Sequence, residues 1–230
     1  MAWGDIRLED LGLSDAWATA GNLLATVLPR RWAHSQRVCY RAGVVGPHVV
    51  DSDEVLLVQA AILHDVGYSP SIAVTGFHAL DGARYLESRG FDERLVGLVA
   101  HHSCARVEAE IRDLGEKLSE FGEGPADLTD ALTFCDMTVS PEGRPVAVDE
   151  RIAEVVARYG PDSVVGRFMQ RAAPDLRAAA GRVAAHLEVL GVPWDALLTD
   201  VRVPAGRVEG VVDAQGHRGV EIEPGQCRGL

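Results

Sequence analysis

Residues 55–67 read VLLVQAAILHDVG, an apolar run that ends in a histidine, an aspartate and a glycine. Residues 51–53 (Asp-Ser-Asp) offer several N-caps, so the stretch predicts a helix. The helix is apolar on nearly every side, which predicts burial at the centre of a helical bundle. Gly67 is expected to close it in the left-handed conformation. His64 and Asp65 are therefore polar side chains at the end of a helix that is predicted to have no solvent-exposed face.

Helices are also predicted on both sides of this run, separated by Gly, Pro and Asp. Ser14, Asp92 and Asp127 are candidate N-caps, and TVSPEGRPVAVD after Asp136 has too many turn formers to be helical. The sequence thus predicts an all-α bundle over residues 1–195. The other predicted helices cover 14–28, 31–42, 76–90, 93–102, 106–120, 128–137, 149–159, 162–172 and 174–190.

Residues 196–230 differ in character, because the stretch after 204 is rich in glycine. We expect a short C-terminal appendage there, either a small β-hairpin with a turn near Gln215-Gly216 or a disordered tail.

Composition restricts the classes of function. The 230 residues carry 22 Lys and Arg against 34 Asp and Glu, a net charge of −12. Such a chain is a poor binder of nucleic-acid backbones, whose affinity comes from cationic side chains. A small phosphorylated substrate held by a metal remains possible. We expect no nucleic-acid partner, and the sequence does not predict the oligomeric state.

The sequence also predicts a cytoplasmic protein with no membrane association. Its four cysteines include no CxxC pair, which favours reduced thiols. The first ten residues lack the pattern of a signal peptide. No apolar stretch reaches the roughly 20 residues that span a bilayer.

Buried histidines and carboxylates at several places indicate a metal site. An unpartnered buried carboxylate costs several kcal/mol, and a divalent cation would satisfy both His64 and Asp65. Asp136 lies in the apolar segment ALTFCDMTV, and His34 has Trp32 and other apolar residues around it. Imidazole with carboxylate suits iron, manganese, cobalt or zinc rather than calcium. Taken singly, each histidine also fits a hydrogen-bonded core residue, and His64-Asp65 fits a buried ion pair.

The order His34, His64-Asp65, Asp136 resembles the H…HD…D signature of the HD-domain metal-dependent phosphohydrolase superfamily, an all-helical fold. The resemblance covers about residues 30–160, and HDVG is its most specific part. It implies that His34, His64, Asp65 and Asp136 hold a first metal ion. It further implies that His78 and His102 match the extra histidines of two-metal members, with Asp65 as the bridge. His101 remains the alternative to His102.

The resemblance implies a hydrolase that cleaves a phosphoester or phosphoanhydride of a nucleotide or related metabolite by metal-bound hydroxide. His64 and Asp65 would be the catalytic pair. The cofactor would be one or two divalent ions, Fe, Mn, Co, Ni or Zn, with Mg also possible. Arg31, Arg37 and Arg144 are candidate substrate-binding residues, although each also fits a solvated surface position.

Two alternatives stay open. HD-fold proteins that resemble myo-inositol oxygenase hold two irons with the same order of ligands, and a third class would bind a nucleotide or partner without turnover. The remaining polar residues have structural interpretations. His48, His186 and His217 are taken as structural or solvated, Cys104 and Cys135 as packing residues, and the run Glu108, Glu110, Asp113, Glu116 as a solvated helix face.

Overall fold

The computed structural model describes residues 13–50 and 53–192. Within these ranges the protein is all-α, as predicted, and its β structure is limited to an isolated bridge between Val139 and Pro145. Two short 3₁₀ turns, Val66–Tyr68 and His102–Cys104, interrupt the helical order. The helices are α1 Ser14–Leu24, α2 Pro29–Val49, α3 Glu54–Leu63, α4 His78–Ser88, α5 Glu93–His101, α6 Ala105–Ile111, α7 Gly115–Leu118, α8 Ala126–Met137, α9 Val148–Tyr159 and α10 Val164–Val189.

Helix α3 lies at the centre of the bundle, as its composition predicts. Leu57, Ile62 and Leu63 are completely buried, and α1, α2, α5 and α8 all pack against the helix. Because neighbours surround it, α3 has no amphipathic pattern and needs none. Its last turn therefore delivers His64 and Asp65 into the interior.

The turn after α3 differs from the prediction. The helix ends at Leu63 and a 3₁₀ turn follows, and Gly67 is absent from the positive-φ glycines, so its predicted left-handed conformation is wrong. Glycine is required by close packing instead. A Cβ on Gly67 would lie 1.9 Å from the carbonyl oxygen of His78 and 2.6 Å from the amide nitrogen of Gly82. The start of α4 thus lies directly against the turn.

Two helices run further than predicted and contain a proline: α2 continues past its predicted end at residue 42, and α10 joins the predicted helices 162–172 and 174–190. Helix α2 contains Pro47 and runs to Val49, and α10 contains Pro174 and forms one helix rather than two. A proline inside a helix costs about 3 kcal/mol. The buried side of α10, which includes Leu176 and Leu187, packs against α8 and α9 and offsets that cost.

The predicted caps have mixed outcomes. Asp92 caps α5 by accepting hydrogen bonds from the backbone N–H groups of Arg94 and Leu95. Helix α8 begins one residue before Asp127, so the cap prediction there is wrong. Ser14 opens α1 without a side-chain cap. The predicted helix at 106–120 is split into α6 and α7.

The C-terminal appendage predicted at residues 196–230 lies outside the described residues, so the domain boundary at 195 stays a prediction. Among the described helices, none combines the length and apolarity that crossing a membrane requires.

Candidate metal centre

The structure gathers the six predicted ligands into two adjacent clusters. His34, His64 and Asp136 form the first cluster, and Asp65, His78 and His102 form the second. Within each cluster one ligand atom per residue lies within 4.8 Å of the others. Five of the six residues are buried and His78 is partly buried. Residues from five separate stretches of sequence thus meet at one place.

The first cluster is built by α2 and α8 together with the turn after α3. His34 Nε2 lies 3.0 Å from Asp136 Oδ1, and His64 Nε2 lies 3.8 Å from the same oxygen. Ser103 donates a hydrogen bond to the other oxygen of Asp136. The carboxylate is therefore fixed by a hydroxyl on one side, and it faces two imidazoles on the other.

The second cluster depends on α4 and on the end of α5. His78 Nε2 lies 3.9 Å from Asp65 Oδ1 and 3.2 Å from His102 Nε2. His102 follows α5, where Ser103 and Cys104 have φ of 47° and 60°. Non-glycine residues seldom adopt this left-handed conformation, and they do so mainly at functional sites. The sharp turn separates the neighbouring histidines, since His101 instead donates a hydrogen bond to the carbonyl of Phe121.

Asp65 lies between the clusters. Its Oδ1 is 3.6 Å from His64 Nε2, and its Oδ2 accepts a hydrogen bond of 2.9 Å from Arg31. Arg31 also donates to the hydroxyl of Tyr159 and lies 3.2 Å above the ring of Tyr68. Tyr68 in turn stacks on His78 with ring centroids 4.0 Å apart. One stack thus orients both Arg31 and His78.

Electrostatics keep the two carboxylates ionised and favour the neutral form of His78 and His102. Burial alone would raise the pKa of Asp65, but the charges of His64 and Arg31 outweigh it and hold that pKa well below its usual value. Burial alone would also raise the pKa of Asp136, but the hydrogen bond from His34 and the charges of His64, His34 and Arg151 together outweigh it and lower that pKa. Burial and neighbouring histidines lower the pKa values of His78 and His102. These are the protonation states in which both side chains bind metals.

The hydrogen-bond partners of the histidine nitrogens indicate whether the clusters can bind a cation. The Nδ1 atoms of His64 and His102 lie 2.8 Å and 2.6 Å from the carbonyl oxygens of Ala61 and Val99. Hydrogen bonds of this kind fix the tautomer and leave the Nε2 lone pair for a metal. The buried Nε2 of His64 has no hydrogen-bond partner among the described residues.

The contacts of His34 also fit a bound cation. Its Nδ1 faces the carbonyl oxygen of Ser140 at 3.2 Å, and its Nε2 faces Asp136. A neutral imidazole has a single N–H and cannot donate to both. A cation between His34 Nε2 and Asp136 would satisfy both acceptors. Two donors that bind one cation at about 2.1 Å lie at most about 4.2 Å apart, and the individual pairs given above, at 3.0–3.9 Å, are within that limit. The residues therefore fit divalent metal ions.

Two cavities meet at the clusters. A narrow cavity of about 70 Å³ contacts five cluster residues, all except His64. A wide cavity of about 610 Å³ opens beside it and shares Arg31, His34, Asp65, Arg151 and Arg158 with the narrow one. The wide cavity has the size of small-molecule sites, which run from about 300 to 1,000 Å³.

The three predicted substrate arginines lie in different environments. Arg31 lines both cavities. Arg37 lines neither, and its side chain is 2.5 Å from where a Cβ on Gly143 would lie. Arg144 also lines neither cavity, and its side chain is 78% exposed beside Glu142. Of the three, the structure brings only Arg31 to the clusters.

Sequence reasoning missed several cavity residues. Arg151 and Arg158 of α9 line both cavities, but nothing in their local sequence separates them from surface arginines. The sequence predicts that Glu108 lies on a solvated helix face, and that prediction is wrong. The residue is 4% exposed, lines the narrow cavity and pairs with Arg112 at 2.7 Å.

The remaining histidines and cysteines of the described ranges have structural surroundings. His186 donates a hydrogen bond to the backbone carbonyl of His48, away from the clusters. No disulfide joins the described cysteines. Burial raises the pKa of Cys135 to about 12 and that of Cys104 to about 11, which argues against a thiolate nucleophile.

Comparison with known proteins gives one match. The family model described as HD domain matches residues 31–136, a range that contains all six cluster residues. No curated protein and no solved structure matches the chain.

Proposed function

We propose, from the match of residues 31–136 to the family model described as HD domain, that the protein is a metal-dependent phosphohydrolase that acts on a small phosphorylated molecule. One observation carries the proposal. Two His/Asp clusters adjoin at Asp65 and open into a cavity of small-molecule size. The substrate would be a phosphoester or phosphoanhydride of a nucleotide or related metabolite.

The clusters would hold one or two divalent transition metals. His34, His64 and Asp136 would bind one ion, His78 and His102 would bind another, and Asp65 would contact both. Iron, manganese, cobalt, nickel and zinc all suit imidazole with carboxylate. When bound, such ions lower the pKa of a water molecule and neutralise phosphate oxygens.

The protein side chains would orient the substrate. Arg31 is held by Asp65, Tyr68 and Tyr159, so its guanidinium is positioned before a phosphate arrives. An arginine fixed in this way loses little conformational entropy when it binds an anion. Its remaining donor capacity would face phosphate oxygens in the narrow cavity.

Water would be restricted by the apolar wall of the narrow cavity. Met137, Val155, Phe168 and Met169 line the side formed by α8, α9 and α10. A low-dielectric wall strengthens the interactions between charged substrate and charged side chains. Because this wall closes one side of the narrow cavity, the organic group of the substrate would extend through the wide cavity toward solvent.

Metal analysis with a phosphatase panel tests the proposal. The purified full-length protein is expected to retain at least one transition metal ion per chain and to release phosphate from small substrates when supplied with Mn, Co, Ni, Fe, Zn or Mg. His64→Ala should lose the metal and the activity, whereas His186→Gln on α10 should keep both. Normal metal content and activity in His64→Ala would contradict the assigned site. Two retained irons with oxygen consumption and no phosphate release would instead favour an oxygenase.

A further inference from the structure

Helix α9 presents a row of charged residues to both cavities. Arg151, Glu154 and Arg158 are spaced by three and four residues and therefore share one face of the helix. Arg151 and Arg158 line the narrow and the wide cavity alike, and Glu154 lines the wide cavity. This face lies beyond the matched range 31–136 and belongs to neither metal cluster.

The two arginines of this row carry more positive charge than its single glutamate can neutralise. Arg151 Nη1 lies 2.5 Å from Glu154 Oε2, and Arg158 Nε lies 2.7 Å from Glu154 Oε1. A single carboxylate is thus shared by two guanidiniums. The buried Nε of Arg151 has no hydrogen-bond partner among the described residues, and a buried donor without a partner is destabilising. The two α9 arginines therefore keep a net positive charge beside the cavities.

Helix α2 supplies positive charge on the opposite side. Arg30 and Arg31 line the wide cavity together with the two arginines of α9. The acidic residues of that cavity are Asp65, which pairs with Arg31, and Glu142 and Glu154. Apart from the Arg31–Asp65 pair, three arginines therefore face two carboxylates, in a chain whose net charge is −12. Such a local excess of positive charge attracts anions.

The two cavities differ in size, so they can bind different parts of one ligand. The narrow cavity of about 70 Å³ contacts the clusters and accommodates a group of phosphate size, whereas the wide cavity of about 610 Å³ accommodates the rest of a small molecule. Arg31, Arg151 and Arg158 line both cavities, and Arg30 lines only the wide one. Of the two α9 arginines, Arg158 has the more exposed side chain, 38% against 12% for Arg151, and therefore lies farther toward the solvent side. A phosphate at the clusters therefore leaves arginines in the wide cavity for a second anionic group.

We propose, on the basis of the function proposed above, that the substrate is an organic diphosphate and that Arg158 with Arg30 binds its inner phosphate. The terminal phosphate would lie at the clusters beside Arg31 and Arg151. Water would add to the terminal phosphorus and the bridging P–O bond would break. Orthophosphate and an organic monophosphate would leave, with one proton released. Arg158 and Arg30 are thus specificity-determining residues, and Arg151 positions the phosphate that reacts.

Binding to the full-length, metal-containing protein tests this assignment without turnover. The probes are adenosine 5′-monophosphate and the α,β-methylene analogue of adenosine 5′-diphosphate, which share the organic group and differ by one phosphoryl group. Calorimetry should show at least about tenfold tighter binding of the diphosphate analogue, since a charge-assisted contact to arginine has that size. Arg158→Gln should remove most of this difference and leave monophosphate binding unchanged. Equal affinities in the unchanged protein would overturn the proposal.

Matched variants make the result specific. Arg177→Gln removes an exposed arginine that pairs with Asp149, outside both cavities, and should preserve both affinities. Arg30→Gln should weaken the diphosphate analogue alone, whereas an equal loss for both probes in Arg30→Gln and Arg158→Gln would refute a second phosphate position. Arg151→Lys should lower kcat for adenosine 5′-diphosphate more than it raises KM. If the binding preference is present but no metal supports phosphate release, the hydrolase proposal fails while the diphosphate position stands.

Discussion

The two clusters differ in how they are supported. The first cluster is held from several sides of the core, because His34 and Asp136 project from the long packed helices α2 and α8, and backbone carbonyls or a hydroxyl fix the side chains. In the second cluster His78 stands at the first position of α4 and keeps 14% of its side chain exposed. Its support is the ring of Tyr68 and the close contact at Gly67. Hydrogen bonds thus orient all three side chains of the first cluster, whereas in the second they orient Asp65 and His102 and a ring stack supports His78.

This difference predicts unequal affinities for metal. Residues that orient a ligand typically contribute 10- to 100-fold to metal affinity. The first cluster has such partners on all three side chains, so we expect it to fill first and to hold its ion longer. The second cluster is expected to exchange its ion more readily.

The largest effect is expected when the shared ligand is removed. Asp65→Ala should lose both ions and more than about 100-fold in phosphate release, since a direct ligand matters more than the groups that orient it. His78→Ala should lose about one equivalent and leave the first ion bound. Elemental analysis of the purified variants measures both outcomes. Equal metal content in the two variants would show that Asp65 does not serve both clusters.

A smaller effect should follow from filling the contact beneath α4. In Gly67→Ala the new Cβ would overlap the His78 carbonyl at 1.9 Å, and overpacking of this kind costs about 1–3 kcal/mol. Tm should fall by about 3–10 °C, and the second ion should bind more weakly than the first. The control is Gly181→Ala in α10, where a Cβ meets nothing within 4 Å and should not lower Tm. Thermal unfolding with unchanged Tm for Gly67→Ala would contradict the packing described here.

The stack on His78 should contribute less. Tyr68→Ala removes the ring that lies 4.0 Å from His78 and should weaken the second ion by about tenfold, a typical contribution of an orienting group. Tyr68→Phe keeps the ring and should keep the affinity. Competition against a chromophoric chelator gives both constants. Equal weakening in the two variants would assign the effect to the hydroxyl rather than to the stack.

The smallest expected effect is the change with pH in the free energy of unfolding. The folded protein lowers the pKa values of His78 and His102, so below about pH 6.5 it binds fewer protons there than the unfolded chain does. In chelator-treated protein the free energy of unfolding should be fully retained above about pH 6.5 and decline as the pH falls through the folded pKa values. The lowered carboxylate pKa values act only below about pH 4.

Denaturant titrations of wild type and His78→Gln between pH 4.5 and 7.5 measure this dependence. The variant should show a shallower decline, because one of the two titrating groups is gone. A stability that is constant with pH in the wild type would mean that the histidines are not held neutral in the folded state.

Much of the fold follows from local pattern. The buried central helix and the cap at Asp92 were predictable because composition and spacing encode them directly. The continuation of α2 and α10 through Pro47 and Pro174 was not predictable, because local propensity favours an interruption at a proline. Only packing against other helices keeps these two helices continuous. Glu108 shows the same limit, because its burial depends on which side of α6 the rest of the bundle covers.

The set of side chains that meet at the two clusters was predictable for a related reason. Histidines and carboxylates placed in apolar helices must find a partner, and their order resembles a known signature. The choice of His102 over His101 depended on the backbone, since the left-handed Ser103 and Cys104 turn one ring into the centre and the other away from it. The arginines of α9 carried no such signal, because arginine is usually exposed.

The sequence alone determined which elements form and which polar groups they bury, because helical periodicity and the cost of burying unpaired charge are local properties of the chain. Tertiary structure alone decided that six side chains from distant segments meet around Asp65 and that α9 adds its arginines to their cavity. Such convergence depends on how whole helices pack, and no short stretch of sequence encodes the distance between two of them.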